Sequence, residues 1–303
     1  MAEFDPNSLA AVQLVPLTAF DAQGRINRQA QFEHIARMAT AGIRVFLPAA
    51  GTSEYHSLSP DEIVDLVRIT REAAVNHAVV FAPVGSQILL AQDVAQRAVQ
   101  AGADGIMFMP LLHPYLCDAG ARQYYHAVLK SAKCPALIYK AAAVPSDELL
   151  LELAEHPQVV GVKYAVNNLH DFRRVVLADG PRIEWSCGSA ERFAPYFMLA
   201  GARGYTSGAG NICPRLTLAM HAALRAGHFS EAMQLQAKVL PIEDFRARDG
   251  ESYSISMLKH AIAALGHDFG LPRPPQRQLT AAERAEIEQL VKPIHQADAQ
   301  LAM

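Results

Sequence analysis

Excess charge of one sign, cysteine and long apolar runs are all scarce in this 303-residue chain. Lys and Arg total 27 against 30 Asp and Glu, a net charge of −3. Nothing in that balance draws the chain to nucleic acid or to an anionic membrane. Four cysteines (Cys117, Cys134, Cys187, Cys213) lie far apart, with no Cys-x-x-Cys. That spacing argues against a disulfide framework and favours reduced thiols and a cytoplasmic protein. The twelve histidines form no His-x-His and no His-Glu-x-x-His, so no metal site is expected. No Walker loop, Rossmann fingerprint or nucleophile-elbow motif is present, and no cofactor is expected. The one long uncharged stretch, Ala73–Gln92, contains Asn76, His77, Pro83 and Gly85. It reads as a buried strand between helix ends and not as a membrane span. Residues 1–6 lack a basic segment followed by an apolar one, so no signal peptide is expected.

What is present is a globular composition, 51% apolar and 19% charged. Short apolar runs alternate with amphipathic stretches. Strands are expected at Val12–Pro16, Ile43–Leu47, Val79–Val84, Gly105–Met109, Ala136–Tyr139, Val159–Lys163, Ile183–Cys187 and Gly204–Ser207. Phe32, Ile35, Ala36 and Ala39 recur at helical spacing after the first strand. Ala41-Gly42 stops that helix, and Ser59-Pro60-Asp61-Glu62 starts the next with a capping box. Further helices fall at about 88–101, 118–132, 146–155, 169–178, 189–200 and 212–226. Eight strand–helix units predict an α/β fold, a (β/α)8 TIM barrel over residues 1–227. A doubly wound sheet normally has five or six strands and a glycine-rich first turn, and Pro16-Leu17-Thr18-Ala19-Phe20 stands there instead. From 228 to 303 the pattern is helical only, at about 229–240, 252–265 and 281–293, which predicts a C-terminal extension packed on the barrel.

Barrel active sites gather where the strands end. The polar residues there include Thr18, Thr52, Ser53, Tyr139, Lys140, Lys163, Thr206 and Ser207. Lys163 stands out, because the run Val159–Val166 holds no other charge. Strand parity sets Lys163 on one face with Gly161, and Tyr139 on one face with Leu137. If both faces point inward, Tyr139 and Lys163 are neighbours about 5 Å apart between strands. A lysine desolvated in this way is a nucleophilic amine, able to form a Schiff base with a ketone. A nearby tyrosine can shuttle the protons. The alternative is a lysine that snorkels to water at a strand end. Lys140, of opposite parity, is expected to point away or lie on the loop. Gly51-Thr52-Ser53 can form an anion-binding turn, and equally an ordinary one.

In this order, Pro16-Leu17-Thr18-Ala19-Phe20, Gly51-Thr52-Ser53-Glu54, Ala101-Gly102-Ala103-Asp104-Gly105, Leu137-Ile138-Tyr139 and Gly161-Val162-Lys163 resemble the dihydrodipicolinate synthase / N-acetylneuraminate lyase superfamily, over about residues 12–293. The resemblance implies Lys163 as the Schiff-base lysine, Tyr139 as proton relay, Thr52 as relay hydroxyl, and Thr52 with Ser53 as a carboxylate-binding turn. It also implies a homotetramer. Ala50–Glu62, Tyr205-Thr206-Ser207 with Asn211, and Arg248–Lys259 resemble the 5-dehydro-4-deoxyglucarate dehydratase branch. Thr206 and Ser207 are taken with Thr52 and Ser53 as substrate-binding residues. Against that branch, Ser53 replaces glycine, Lys140-Ala141-Ala142-Ala143 replaces a polar segment, and Tyr164 replaces an acid. All three changes are expected to line or border the pocket. Lysine-pathway enzymes carry an arginine soon after the strand-5 tyrosine and a tyrosine pair where Leu111-Leu112 stands. This chain has neither, its Tyr115 being displaced in register. The function expected is thus a lysine Schiff-base lyase acting on a 2-keto acid, a dehydratase of a deoxy-keto sugar acid. The alternatives are a pyruvate-dependent aldolase or synthase, and a non-catalytic keto-acid-binding barrel. A phosphate-binding isomerase finds no basic residue between Gly204 and Asn211.

Overall fold

The computed structural model describes residues 4–74 and 78–301. Asn76, His77 and the first three residues, which entered the expectations above, lie outside it. Eight parallel strands close into a barrel in sequence order: β1 (Val12–Leu14), β2 (Val45–Phe46), β3 (Val79–Val84), β4 (Gly105–Phe108), β5 (Ala136–Lys140), β6 (Val159–Tyr164), β7 (Glu184–Cys187) and β8 (Gly204–Ser207). Helices α1 (Arg28–Thr40), α2 (Pro60–Ala73), α3 (Ile88–Gln100), α4 (Asp118–Ala132), α5 (Asp147–Leu153), α6 (Leu169–Asp179), α7 (Ala190–Ala200) and α8 (Pro214–Arg225) follow the strands in turn. The local chemistry explains the boundaries. The Ser59 side chain accepts from the Glu62 N–H, and Glu62 reaches back to the Ser59 N–H, which closes the capping box at the start of α2. Ser146 caps α5 by accepting from the Leu149 N–H, and Asn168 caps α6 by accepting from the Asp171 N–H.

Between β5 and β6 the register slips by one residue. Ala136 pairs with Val159, but Leu137 pairs with Gly161, Tyr139 with Lys163 and Lys140 with Tyr164. Without that bulge, Tyr139 would face Val162. Bulges commonly re-aim side chains beside active sites. Gly161 belongs to this packing, because a Cβ there would sit 2.8 Å from both the Glu184 carbonyl and the Leu137 side chain.

Beyond the barrel lie α9 (Phe229–Arg246), a single kinked turn α10 (Arg248–Glu251), α11 (Ser254–Ala264) and α12 (Ala281–Gln300). Two of these helices outrun their expected ends, because α9 continues past Pro241 and α12 past Pro293. The residues after Pro241 explain why α9 continues. Ile242 and Phe245 are buried, and Arg246 pairs with Glu243 one turn back. One apolar cluster joins Leu17 and Ile212 of the barrel loops to Val239, Phe245, Leu258 and Val291 of these helices. Among the described residues, no helix is long and apolar enough to cross a membrane.

Candidate active site

A cavity of about 490 Å3 opens at the C-terminal ends of the strands. Lys163 and Tyr139 share its wall, with the Lys163 ammonium nitrogen 3.8 Å from the centre of the Tyr139 ring. Lys163 is 5% exposed, and burial pulls its pKa down to about 7, the Arg246 cation adding to the effect. Near neutrality a substantial fraction is therefore free amine. Burial also pushes the Tyr139 hydroxyl up to about 12, so it stays protonated and can donate.

The turn after β2 is a short 3-10 segment, Gly51–Ser53, followed by Glu54 at φ 68°. Gly51 and Thr52 line the cavity. Ser53 does not. Its hydroxyl donates to the Pro16 carbonyl, and its own carbonyl accepts from Thr18 at 2.7 Å. Ser53 was expected to bind substrate, but the tight turn rolls its side chain into the barrel body, where it ties β1 to the turn. Thr18 is occupied by the same tie.

Thr206 and Ser207 both line the cavity. Thr206 donates to the Gly188 carbonyl at 3.2 Å. Ser207 donates to Glu191 and accepts from the Gly210 N–H at 2.8 Å. Glu191 is wholly buried, and its second oxygen has no partner among the described residues. Burial, reinforced by the nearby Glu243 charge, raises its pKa well above the carboxylate range and favours the neutral acid.

The distal wall comes from the extension. Arg246 pairs with Glu243 at 2.5 Å, and Ser254 accepts from it through both its hydroxyl, at 2.9 Å, and its carbonyl, at 3.2 Å. A Cβ on Gly208 would lie 2.6–2.8 Å from three guanidinium atoms, so this glycine lets the planar group lie flat on the end of β8. Sequence reasoning missed Arg246, Glu243, Glu191 and Gln276. The first two lie in the part of α9 beyond Pro241, where the helix was expected to have ended. An arginine and a glutamate three apart on its inward face were the available signal.

Of three expectations about neighbouring residues, those for Lys140 and Ala141 hold and that for Tyr164 does not. Lys140 points away from the cavity, its ammonium donating to the Pro145 carbonyl at 2.6 Å and pairing with Asp147 at 3.4 Å. Tyr164 neither lines nor borders the cavity. It sits in the helix layer against Phe172, and its hydroxyl donates to Asp147. Ala141, by contrast, does line the cavity. Tyr115 is 86% exposed on the connection before α4. Cys187 is a buried thiol in register with Tyr164 and does not line the cavity. No cluster of metal-ligating side chains occurs among the described residues.

A closed barrel with an isolated lysine at its mouth defines the class, that of barrel enzymes whose site is built where the strands end. Comparison with known proteins makes it specific. Residues 8–294 match the dihydrodipicolinate synthetase family, and the chain belongs to that family as a lyase-type enzyme. A relative from Methylobacterium radiotolerans named probable 5-dehydro-4-deoxyglucarate dehydratase is 32% identical over 96% of this chain and 99% of its own. One of the same name from Bacillus subtilis is 30% identical, covering 91% of each. Among solved structures, dihydrodipicolinate synthase from Bacillus clausii is similar at a TM-score of 0.90 and 32% identity, covering 96% of this chain and 98% of that one.

Proposed function

We propose that this protein is a Schiff-base dehydratase of a deoxy-keto sugar acid such as 5-dehydro-4-deoxyglucarate. The observation that carries the reading is Lys163, a buried amine stacked on Tyr139 in an open cavity and free of any carboxylate partner among the described residues. The relatives' names point to the same substrate.

The Lys163 amine adds to the ketone, and the carbinolamine loses water to give a protonated imine. Tyr139, with Thr52, carries the proton to the departing oxygen. The imine draws electrons from the adjacent methylene, which gives up a proton. The enamine so formed expels the hydroxyl one carbon further on, which takes up the proton released from the methylene and leaves as water. Hydrolysis of the conjugated imine returns the free lysine. Each proton transfer by a positioned group is worth about 10²–10⁴ in rate. Thr206, Ser207, Asn167 and Gln276 offer hydroxyl and amide groups to a hydroxylated chain, and Arg246 offers a cation to an acid group. In this reading Ser53 shapes the turn and does not touch substrate.

Borohydride reduction in the presence of pyruvate or the sugar acid should add covalent mass at Lys163. Label on Lys140, or none with any keto acid, overturns the mechanism. A parallel assay separates the branches. Condensation of pyruvate with aspartate semialdehyde should be poor, because Lys140-Ala141-Ala142-Ala143 supplies no arginine fork for a second substrate's carboxylate. Efficient condensation with no dehydration would favour the synthase reading.

The same proposal places the enzyme in the cytoplasm, supported by four unpaired thiols. It also makes the enzyme a homotetramer. Exposed Leu112 and Tyr115 before α4, and exposed Leu177, Tyr196 and Leu199 on α6 and α7, offer apolar patches to further copies of the chain. A mass of four chains by light scattering is expected, and a monomer would refute it.

A further inference from the structure

Glu54 follows the turn that carries Thr52, yet it is buried away from the cavity, with its side chain 0% exposed. Its partner is Lys259 of α11, also buried, at 2.6 Å. The backbone N–H of Arg273 donates to the other carboxylate oxygen at 2.8 Å. The Arg273 side chain then spreads over the same region. It donates to the Gly24 and Ser57 carbonyls and makes a forked pair with Glu62 at 2.6 and 2.9 Å. Phe20 lies under both cations, 4.1 Å from the Lys259 ammonium and 4.2 Å from the Arg273 guanidinium.

This assembly joins the two halves of the cavity mouth. On the barrel side stand Gly51 and Thr52, three and two residues before Glu54. On the other side stand Ser254 and Ile255, a little over one helical turn before Lys259, and Gln276, three residues after Arg273. A buried ion pair contributes little net stability, since desolvation offsets its attraction. A non-glycine residue at φ 68° is strained and persists only where its surroundings over-determine it. Both features spend stability at one point, and that point fixes the backbone of the Thr52 turn.

We propose that Lys259 and Arg273 are positioning residues, which hold Glu54 and through it set Thr52 against Lys163 and Tyr139. The C-terminal extension is then a working wall of the site, and beside the apolar contacts that seat it on the barrel one buried pair ties it to the Thr52 turn. The part of this inference that concerns Thr52 rests on the Schiff-base reading, so the test has two independent readouts.

The first readout is hydrogen exchange in the Lys259→Met protein and in Glu54→Gln, the milder change, which keeps the Arg273 bond. Exchange should rise several-fold over residues 51–58 while the strands of the barrel stay as they are. Unchanged exchange there, or a uniform rise across the barrel, overturns the inference whatever the chemistry of Lys163. The second readout is the rate of borohydride-trappable imine formation with pyruvate in Lys259→Met, Thr52→Val and the double variant. Lys259→Met should slow trapping about tenfold, yet by less than about twofold when Thr52 is already valine. Additive effects in this cycle mean that Lys259 does not act through Thr52 and sink the assignment. Lys259→Arg, which restores the cation, should recover part of the rate, and no recovery would count against the pair. If the wild-type protein traps no keto acid, the Schiff-base reading fails by itself, and exchange still decides whether the strap holds the turn.

Discussion

Two lysine–tyrosine pairs sit side by side across β5 and β6, one residue apart, and they face opposite ways. Lys163 pairs with Tyr139 toward the cavity, and Lys140 pairs with Tyr164 toward the helices. Both lysines are buried to nearly the same degree, 5% and 4% exposed. Their partners differ. Lys140 has a carbonyl at 2.6 Å and the Asp147 carboxylate at 3.4 Å. Lys163 has an aromatic face at 3.8 Å, a neutral thiol and a second cation nearby. Burial alone therefore does not make a nucleophile. Burial without a compensating anion favours the neutral amine, because nothing then offsets the cost of keeping the charge out of water.

The largest effects should break this contrast outright. Lys163→Ala should reduce turnover to background and abolish borohydride labelling with pyruvate, while the fold is kept. The same change should hold or raise Tm near pH 7. A lysine whose pKa is lowered on folding binds fewer protons folded than unfolded. Its presence therefore costs stability at neutral pH, a cost that fades as pH rises toward the unfolded value near 10.5. Labelling that survives in Lys163→Ala would move the nucleophile elsewhere.

Next in size come the two tyrosines. Tyr139→Phe should lower turnover by about 10²–10⁴, the usual worth of a positioned acid–base group. Tyr164→Phe loses only a bond to Asp147, so its turnover should stay within about threefold of the wild type. Similar losses in both variants would erase the distinction between the inner and outer pair.

Much of that distinction was legible in the sequence, because alternation along a strand is a rigid rule. The uncharged run around Lys163 and the shared parity of Leu137 and Tyr139 made the pair neighbours if those faces point inward, and the structure turns both inward. The register was not legible. Ala136 opposite Val159 leads, without a bulge, to Tyr139 opposite Val162, and no residue type announces the slip at Val160. The eight strands were readable from apolar runs bounded by capping residues, and two of them, β3 and β8, have the bounds expected. The distal wall was hidden for a different reason. Pro241 is a strong stop signal, yet the buried Ile242 and Phe245 carry α9 past it and deliver Arg246 to the cavity. Ser53 shows the limit of motif reading. The turn contains it as expected, but a 3-10 turn sends its hydroxyl to Pro16.

A smaller effect tests the outer pair. Lys140→Met removes a cation from Asp147 and a donor from the Pro145 carbonyl. It should cost about 1–3 kcal/mol of stability, the range for a buried polar group left unpaired. Labelling at Lys163 should be unchanged in rate and position. A loss of labelling with no loss of stability in urea titration would give Lys140 a chemical role that its geometry does not support.

The smallest effect concerns how the inner lysine is tuned. Imine formation requires the free amine, so its rate should rise with pH through a midpoint near 7 and then level off. An ordinary lysine would keep climbing toward pH 10.5. Burial is the main cause of the lowered value, and the Arg246 cation contributes in the same direction. Removing that cation in Arg246→Met lets Lys163 hold its proton more easily. The midpoint should therefore move to higher pH, by less than about one unit, which corresponds to under about 1.4 kcal/mol. Labelling with pyruvate should slow by a larger factor at pH 7 than at pH 9, where the amine is free in both proteins and only the lost contact to the substrate's acid group remains. Arg246→Lys keeps the charge and should leave the midpoint in place. The pair of variants thus separates charge from packing. A midpoint that stays put in Arg246→Met would show that burial alone sets the amine's pKa, and one that falls would reverse the sign assigned to the cation.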